Sequence, residues 1–295
     1  MAAKTVRSVI PVGAVTDEFS PDDLEKSLGA MADLGMTFAE LRVVFGRNVI
    51  DLNDDEIDRA RAMVEARGMR VLSIASPVLK CTLPDAPPVA PHIQQDVFGS
   101  AYTDADQPRL ARRAFEIAER TGARMVRVFS YWRTVDPEQC FSRVASALRS
   151  LADEAEQRGL VIGIENEHAC NIATGVETAR LLAVVDHPAL RVIWDPANAF
   201  VAGETPFPDG YAKLPPARIA HVHAKDCHVR DHAPVFGPLG EMGIDWRGQM
   251  AAFARDGYRG GISLETHWKG PGGDKFQGSV ICGRNLQDMV RHAGF

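Results

Sequence analysis

The sequence predicts a (β/α)₈ barrel in a single domain over residues 1–295, and three observations predict it. Short β-type runs alternate with helix-type periods along the chain, eight times over. Strict βα alternation points to a parallel sheet, and eight such units favour closing it into a barrel over leaving it open. The length of 295 residues suits one barrel of about 250 residues with modest insertions. A dinucleotide-binding open sheet would carry G-x-G-x-x-G directly after a strand, and the chain has none.

The elements follow in order. The first β-type run is Val6 to Val15. Ser20-Pro21-Asp22-Asp23 then reads as a helix start, with Ser20 as N-cap and Pro21 in the first helical position. Leu24, Leu28, Met31 and Leu34 form the apolar face of that helix, and Gly35 ends it. Phe38–Val44 is the second strand, followed by a helix over Asp54–Arg67 that Gly68 stops; Arg70–Ser76 is the third strand. A Pro-rich connection, Pro84 to Pro91, precedes a helix over Pro108–Thr121. Arg124–Ser130 and Pro137–Arg158 make the fourth pair, Leu160–Glu167 and Thr174–Val185 the fifth. The sixth is the strand Leu190–Asp195 with a short helix near Asp209–Leu214. The seventh strand is Arg218–Asp226, followed by an irregular stretch to Gly243 and a helix over Asp245–Arg255. Gly260–His267 and a helix over Gly278–His292 complete the set.

Composition narrows the function classes. Hydrophobic residues make up 45% and charged residues 24%, an ordinary globular balance that supplies one large core. The formal net charge is −6, with no basic block and no basic stripe interleaved with aromatics, so nucleic acid is a poor candidate partner. The five cysteines, Cys81, Cys140, Cys170, Cys227 and Cys282, are scattered and never spaced C-x-x-C, which fits reduced thiols. The first residues lack a secretory apolar core, and no run approaches a membrane span, so the expected setting is soluble and cytoplasmic.

In a parallel barrel the chemistry sits at the C-terminal ends of the strands. Four of those ends are dense in polar groups: Glu165, Asn166, Glu167 and His168 on the fifth; Asp195 and Asn198 on the sixth; His221, His223, Lys225 and Asp226 on the seventh; Glu265, His267 and Trp268 on the eighth. Strand parity puts Gly163 with Glu165 and Ser263 with Glu265 on one face, while Ile162, Ile164, Ile262 and Leu264 take the other. Small residues one layer below the carboxylates leave room at the barrel mouth, so both glutamates are expected to point inward. Carboxylates and an imidazole on four successive strands suit one divalent ion, with Mn²⁺ or Mg²⁺ favoured by the oxygen-rich set and Zn²⁺ or Co²⁺ open because of the histidine. The competing reading, strand-capping acids paired to Arg or helix N-termini, accounts for any one of them but poorly for all four at equivalent positions.

At these residues the sequence resembles the xylose-isomerase-like barrels, and within them the sugar phosphate isomerase/epimerase group, which includes ketose 3-epimerases, hydroxypyruvate isomerase and inosose dehydratase. The pieces that carry the resemblance are I-E-N-E-H, W-D-P-A-N, H-V-H-A-K-D and S-L-E-T-H, in that order. The resemblance implies metal ligands at Glu165, Asp195, His223 and Glu265, with the second histidine of H-V-H as the ligand. It implies an acid/base pair in Glu165 and Glu265, and an oligomer built through exposed helices. Where the epimerases have a histidine three residues after the metal-binding aspartate, this chain has Asn198, which cannot carry a proton near neutral pH. An apurinic endonuclease-like reading would want histidines near the third and fourth strand ends, and S-I-A-S-P and V-R-V-F-S-Y-W-R have none.

The expected chemistry is proton abstraction next to a carbonyl of a sugar-like small molecule through a metal-stabilised enediolate, giving an isomer or epimer. The alternative is a lyase or dehydratase that eliminates a β-substituent from a keto-inositol or 3-keto-glycoside; a metal-binding protein without catalysis stands third. Candidate substrate-binding residues are Asn198, His168, Arg133, Lys225 and Trp268. Glu40 with Arg42, Lys80, Arg127, Tyr131 and Trp132 also lie near strand ends, with an ion pair or a packed loop as the competing reading.

Overall fold

The computed structural model describes residues 10–95, 101–230 and 233–294. Eight parallel strands close into a barrel: β1 Val12–Val15, β2 Phe38–Leu41, β3 Arg70–Ile74, β4 Met125–Val128, β5 Val161–Glu165, β6 Leu190–Trp194, β7 Ile219–Ala224 and β8 Gly261–Leu264. Each pairs with its sequence neighbours, and β1 closes the ring against β8 with Gly13 opposite Ser263. The helices are α1 Leu24–Asp33, α2 Asp54–Ala66, α3 Gln107–Thr121, α4 Pro137–Gln157, α5 Gly175–Val185, α6 Pro196–Val201, α7 Trp246–Arg255 and α8 Lys275–Ala293, one after each strand. The expected (β/α)₈ architecture is therefore the one present. Of the expected first run, residues 6–9 lie outside the described residues.

Local chemistry explains the helix starts. Asn53 and Glu56 form a reciprocal capping box on α2, and Thr174 and Glu177 form another on α5. Asp136, Asp245 and Asp274 cap α4, α7 and α8. Helix α1 starts later than its sequence signal. Its N-cap is Asp23, which accepts from the Lys26 N–H, whereas Ser20 accepts from the Asp23 N–H and shapes the turn before the helix. The sixth unit also differs: α6 begins immediately after β6, and the expected Asp209–Leu214 helix is a wide turn over Pro206–Gly210 followed by a short 3₁₀ segment, Tyr211–Lys213. The stretch after β7 holds a two-stranded hairpin, Cys227–Arg230 with Ala233–Phe236.

Ile162, Ile164, Ile262 and Leu264 are fully buried in the layer between barrel and helices, the outward set that parity requires. Inside the barrel, the floor is filled. A Cβ on Gly13 or Gly261 would lie 2.4 Å or 2.8 Å from Phe38 ring atoms, so these two glycines exist to admit that ring. A Cβ on Gly163 would meet Ile193 at 2.7 Å and Met125 Sδ at 2.9 Å. The small residue below Glu165 thus makes room for neighbouring side chains rather than for open space. All five cysteines are buried free thiols. No helix among the described residues is long and apolar enough to cross a membrane.

Candidate metal centre

Above the floor the inward-facing residues become ionic. Glu165 is the last residue of β5, Asp195 follows β6, His223 lies in β7 and Glu265 follows β8. Ligand atoms of these four buried side chains all lie within 4.8 Å of one another. Asp195 is fixed from two sides. Its Oδ1 accepts from the Asn198 N–H at 2.9 Å as the cap of α6, and the Asn166 side chain bonds both its N–H and its C=O, each at 2.8 Å. Glu265 Oε1 accepts from Arg42 Nη1 at 2.6 Å and its Oε2 from Lys225 Nζ at 2.8 Å. Glu165 Oε2 accepts from Arg127 Nη1 at 3.1 Å and its Oε1 from Asn198 Nδ2 at 3.3 Å.

Burial raises the proton affinity of each carboxyl, and the neighbouring cations decide the outcome. Glu265 is held well below the usual carboxylate range despite its burial, chiefly by Lys225 and His223. Glu165 is also lowered against its burial, by His223 and Arg127. Asp195 goes the other way and is pushed up to about 6, because burial and the charges of Glu165 and Glu265 outweigh Lys225. His223 and Lys225 are raised well above their ordinary values, the surrounding carboxylates overcoming burial.

The donor set fits a divalent cation. Three carboxylates packed this closely repel one another unless positive charge lies among them, and here that charge comes from Lys225 with Arg42 and Arg127. Lys225 Nζ is 2.6 Å from Asp195 Oδ2, yet off any hydrogen-bonding direction, so this buried oxygen is left without a hydrogen bond. An oxygen-rich site with one imidazole nitrogen is the chemistry of Mn²⁺ or Mg²⁺, with Zn²⁺ and Co²⁺ within range.

Of the residues singled out for substrate, three meet at the cage. Lys225 bridges Asp195 and Glu265; Asn198 donates to Glu165 and, at 3.3 Å, to Glu167; and His168 Nδ1 lies 3.0 Å from Asn198 Oδ1. Arg133 and Trp268 are not joined to it. Arg133 binds Glu177 at 2.9 Å and the carbonyls of Cys170 and Asn171. Trp268 is half-buried against the hydrophobic layer. Glu40 and Arg42 share a face but do not pair: Glu40 faces His221 and His223, while Arg42 binds Asp17, Glu18 and Glu265. Lys80 lies 3.9 Å from Glu167 and over the rings of Phe129 and Trp132.

Sequence reasoning missed Asp17 and Glu18, which stand at the end of β1 and hold Arg42 against Glu265. Thr16-Asp17-Glu18 is a polar strand end like the others, and reading β1 by the same rule finds it. Glu18 also accepts from the backbone N–H of His267, whose φ of 52° turns its ring back to within 3.9 Å of Glu265.

The profile of the xylose isomerase-like TIM barrels matches residues 28–285. No curated protein matches the sequence. Solved structures do. D-allulose 3-epimerase from Methylomonas sp. is 17% identical with a TM-score of 0.71, over 96% of this chain and 98% of that one. The probable 3-DHS dehydratase AsbF from Bacillus anthracis is 16% identical with a TM-score of 0.71, over 94% and 98%. A xylose isomerase-like TIM barrel protein from Mycobacterium smegmatis, in complex with magnesium, is 16% identical with a TM-score of 0.67, over 97% of each chain. The chain also spans 44% of a xylose isomerase-like TIM barrel/4-hydroxyphenylpyruvate dioxygenase fusion protein, at 21% identity and a TM-score of 0.68. A profile match across most of the length, on a closed eight-stranded parallel barrel, makes this chain a member of the xylose isomerase-like TIM barrel family.

Proposed function

We propose that this protein is a divalent-metal-dependent isomerase or epimerase that moves a proton at a carbon beside the carbonyl of a sugar-like small molecule. The observation that carries the reading is the meeting of Glu165 and Glu265, from strands three places apart in the barrel, in one buried cluster with Asp195 and His223. Those four would hold the ion, with Mn²⁺ the first choice. When bound, such an ion polarises a carbonyl and lowers the cost of the enediolate charge. The remaining chemistry belongs to side chains. Glu165 and Glu265 are both ionised and both fixed at each oxygen, so one takes the proton and the other returns it from a different wall. Lys225, held charged, orients a substrate oxygen. His168 is partly exposed and lies beside the cage against Asn198 and Glu167, so His168 itself is the group there that could exchange protons with solvent.

A second reading follows from Asn198. Its amide donates to Glu165 and Glu167 but carries no proton of its own to a substrate carbon. A β-elimination needs one abstraction and a departing oxygen, without reprotonation at carbon, and the similarity to a probable dehydratase supports keeping that reaction as the alternative. A small molecule, rather than nucleic acid, is the partner that the net charge of −6 favours. A cytoplasmic homo-oligomer is the setting we propose for it.

Mn²⁺-loaded protein incubated in D₂O with ketoses, inososes and 3-keto-glycosides, followed by NMR, tests the reading. Deuterium incorporated into an intact carbon skeleton supports the isomerase, and its position tells epimer from isomer. An unsaturated product or a released aglycone transfers the assignment to the lyase. Glu265→Gln is expected to abolish exchange while leaving the fold unchanged by circular dichroism. A metal-free, unreactive wild type overturns both.

A further inference from the structure

We propose that Glu40 is the positioning residue of the cage, fixing which ring nitrogen His223 presents to the other three side chains. The inference rests on reading Glu165, Asp195, His223 and Glu265 as a divalent-metal site. His223 is wholly buried, and its two nitrogens face opposite neighbours. Nδ1 lies 3.2 Å from Glu165 Oε1 and 3.4 Å from Glu265 Oε2, on the cage side. Nε2 lies 2.9 Å from Glu40 Oε2, on the far side. An imidazole offers a lone pair from one nitrogen only while the other keeps its proton, and a carboxylate can accept a hydrogen bond but not donate one. Carboxylates face both nitrogens, so an ion in the cage would take the place of the Nδ1 proton while Glu40 keeps the one on Nε2, leaving Nδ1 as the ligand atom. A carboxylate behind a ligating imidazole also fixes the ring plane and makes the free nitrogen more basic.

The same oxygen explains why the strand carries two histidines. His221 Nε2 lies 3.2 Å from Glu40 Oε2 and 3.0 Å from Ser263 Oγ, and its ring packs edge-on against both Phe38, at 5.8 Å, and His223, at 5.4 Å. His221 thus rests on the barrel floor and supports Glu40, while His223, one layer higher, faces the cage. Glu40 comes from β2 and the histidines from β7, with β1 and β8 between them, so no spacing in the sequence announces the arrangement. Glu40, His221 and His223 also lie within ligand reach of one another. His223 Nε2 is hydrogen-bonded to Glu40 Oε2, while His221 Nε2, hydrogen-bonded to Ser263 Oγ, is only an ion-pair neighbour of the same oxygen; a second ion there would need His223 to surrender both nitrogens.

The test compares wild type with Glu40→Gln and Glu40→Asp, each first shown to be folded by circular dichroism. Mn²⁺ affinity is read from the free-ion EPR signal, and the His223 nitrogens from ¹⁵N NMR of Zn²⁺-loaded protein. The expected result is one equivalent bound throughout, with affinity roughly 10–100-fold weaker in Glu40→Gln, less so in Glu40→Asp. The wild-type pattern of protonated Nε2 and metal-shifted Nδ1 is expected to be lost or mixed in Glu40→Gln. Unchanged affinity and an unchanged His223 pattern in a folded Glu40→Gln overturn the proposal while the cage stands. Two equivalents in wild type, one of them lost in Glu40→Gln, overturn it by making Glu40 a ligand. A wild type that binds no Mn²⁺ overturns the cage reading and this inference together.

Discussion

Lys225 is the residue on which the metal-free cage depends. Its ammonium is 2.6 Å from Asp195 and 2.8 Å from Glu265, all three buried. Removing one partner of a buried ion cluster leaves the others uncompensated, a loss of about 3–5 kcal/mol. Lys225→Met should therefore lower stability by that order in the presence of chelator, and Mn²⁺ should restore part of it; urea melts with and without metal measure both. Glu18 carries a pH prediction. Although burial alone would raise its pKa, His267, Lys275 and Arg42 hold it down at about 2, against an ordinary 4.5. A group depressed on folding stabilises above its unfolded pKa and loses that contribution as pH falls through the folded one. The window is pH 4.5 down to 2, and the full contribution is roughly 3 kcal/mol from the size of the shift. In Glu18→Gln the fall in stability across that window should be correspondingly shallower, read from thermal melts at stepped pH. Most cage residues were legible because strand ends in a barrel face one place. Asp17 and Glu18 answer to the same rule but were passed over, since two acids shortly before Ser20-Pro21 also read as the approach to a helix.

At the scale of elements, β1, β2 and β8 meet at the Phe38 ring, and the glycines opposite it set how closely they approach. A methyl at Gly261 would meet that ring at 2.8 Å. Gly261→Ala is expected to cost about 1–3 kcal/mol by overpacking, and the double variant with Phe38→Leu less than the sum of the two single changes. Chemical denaturation of the four proteins gives the cycle. Periodicity and caps made α2, α4, α5 and α7 readable to within a residue or so, because each combines an apolar face with an acid or Thr at its start. Helix α6 escaped notice for a physical reason. Six residues hold too few turns to show a period, and its cap, Asp195, is also the strand-end acid that looked like the close of β6. The hairpin after β7 was hidden too, since Pro234 and the exposed Val229 and Val235 lack the alternation of a half-buried pair.

For the whole molecule, the cage is neutralised by its own cations, so the barrel should survive metal removal. Far-UV circular dichroism in EDTA is expected to match that of the loaded protein. Mn²⁺ at a hundredfold its dissociation constant should add about 2.7 kcal/mol, a rise of several degrees in melting midpoint. An EDTA-unfolded protein would instead make the ion part of the fold. The architecture was readable from alternation alone because a closed parallel sheet demands it of every unit. Which side chains cross the interior to meet, such as Glu40 with His223 or Arg42 with Glu265, was not, because barrel closure joins residues that share no local pattern.

The ring of Phe38, closed in by Gly13, Gly261 and His221, plugs the barrel interior beneath the cage. A small molecule bound at the cage would have to enter and leave by one doorway, at the carboxyl ends of the strands. For the reaction proposed above, a rearranged product that keeps the hydroxyl pattern of its precursor should accordingly inhibit competitively.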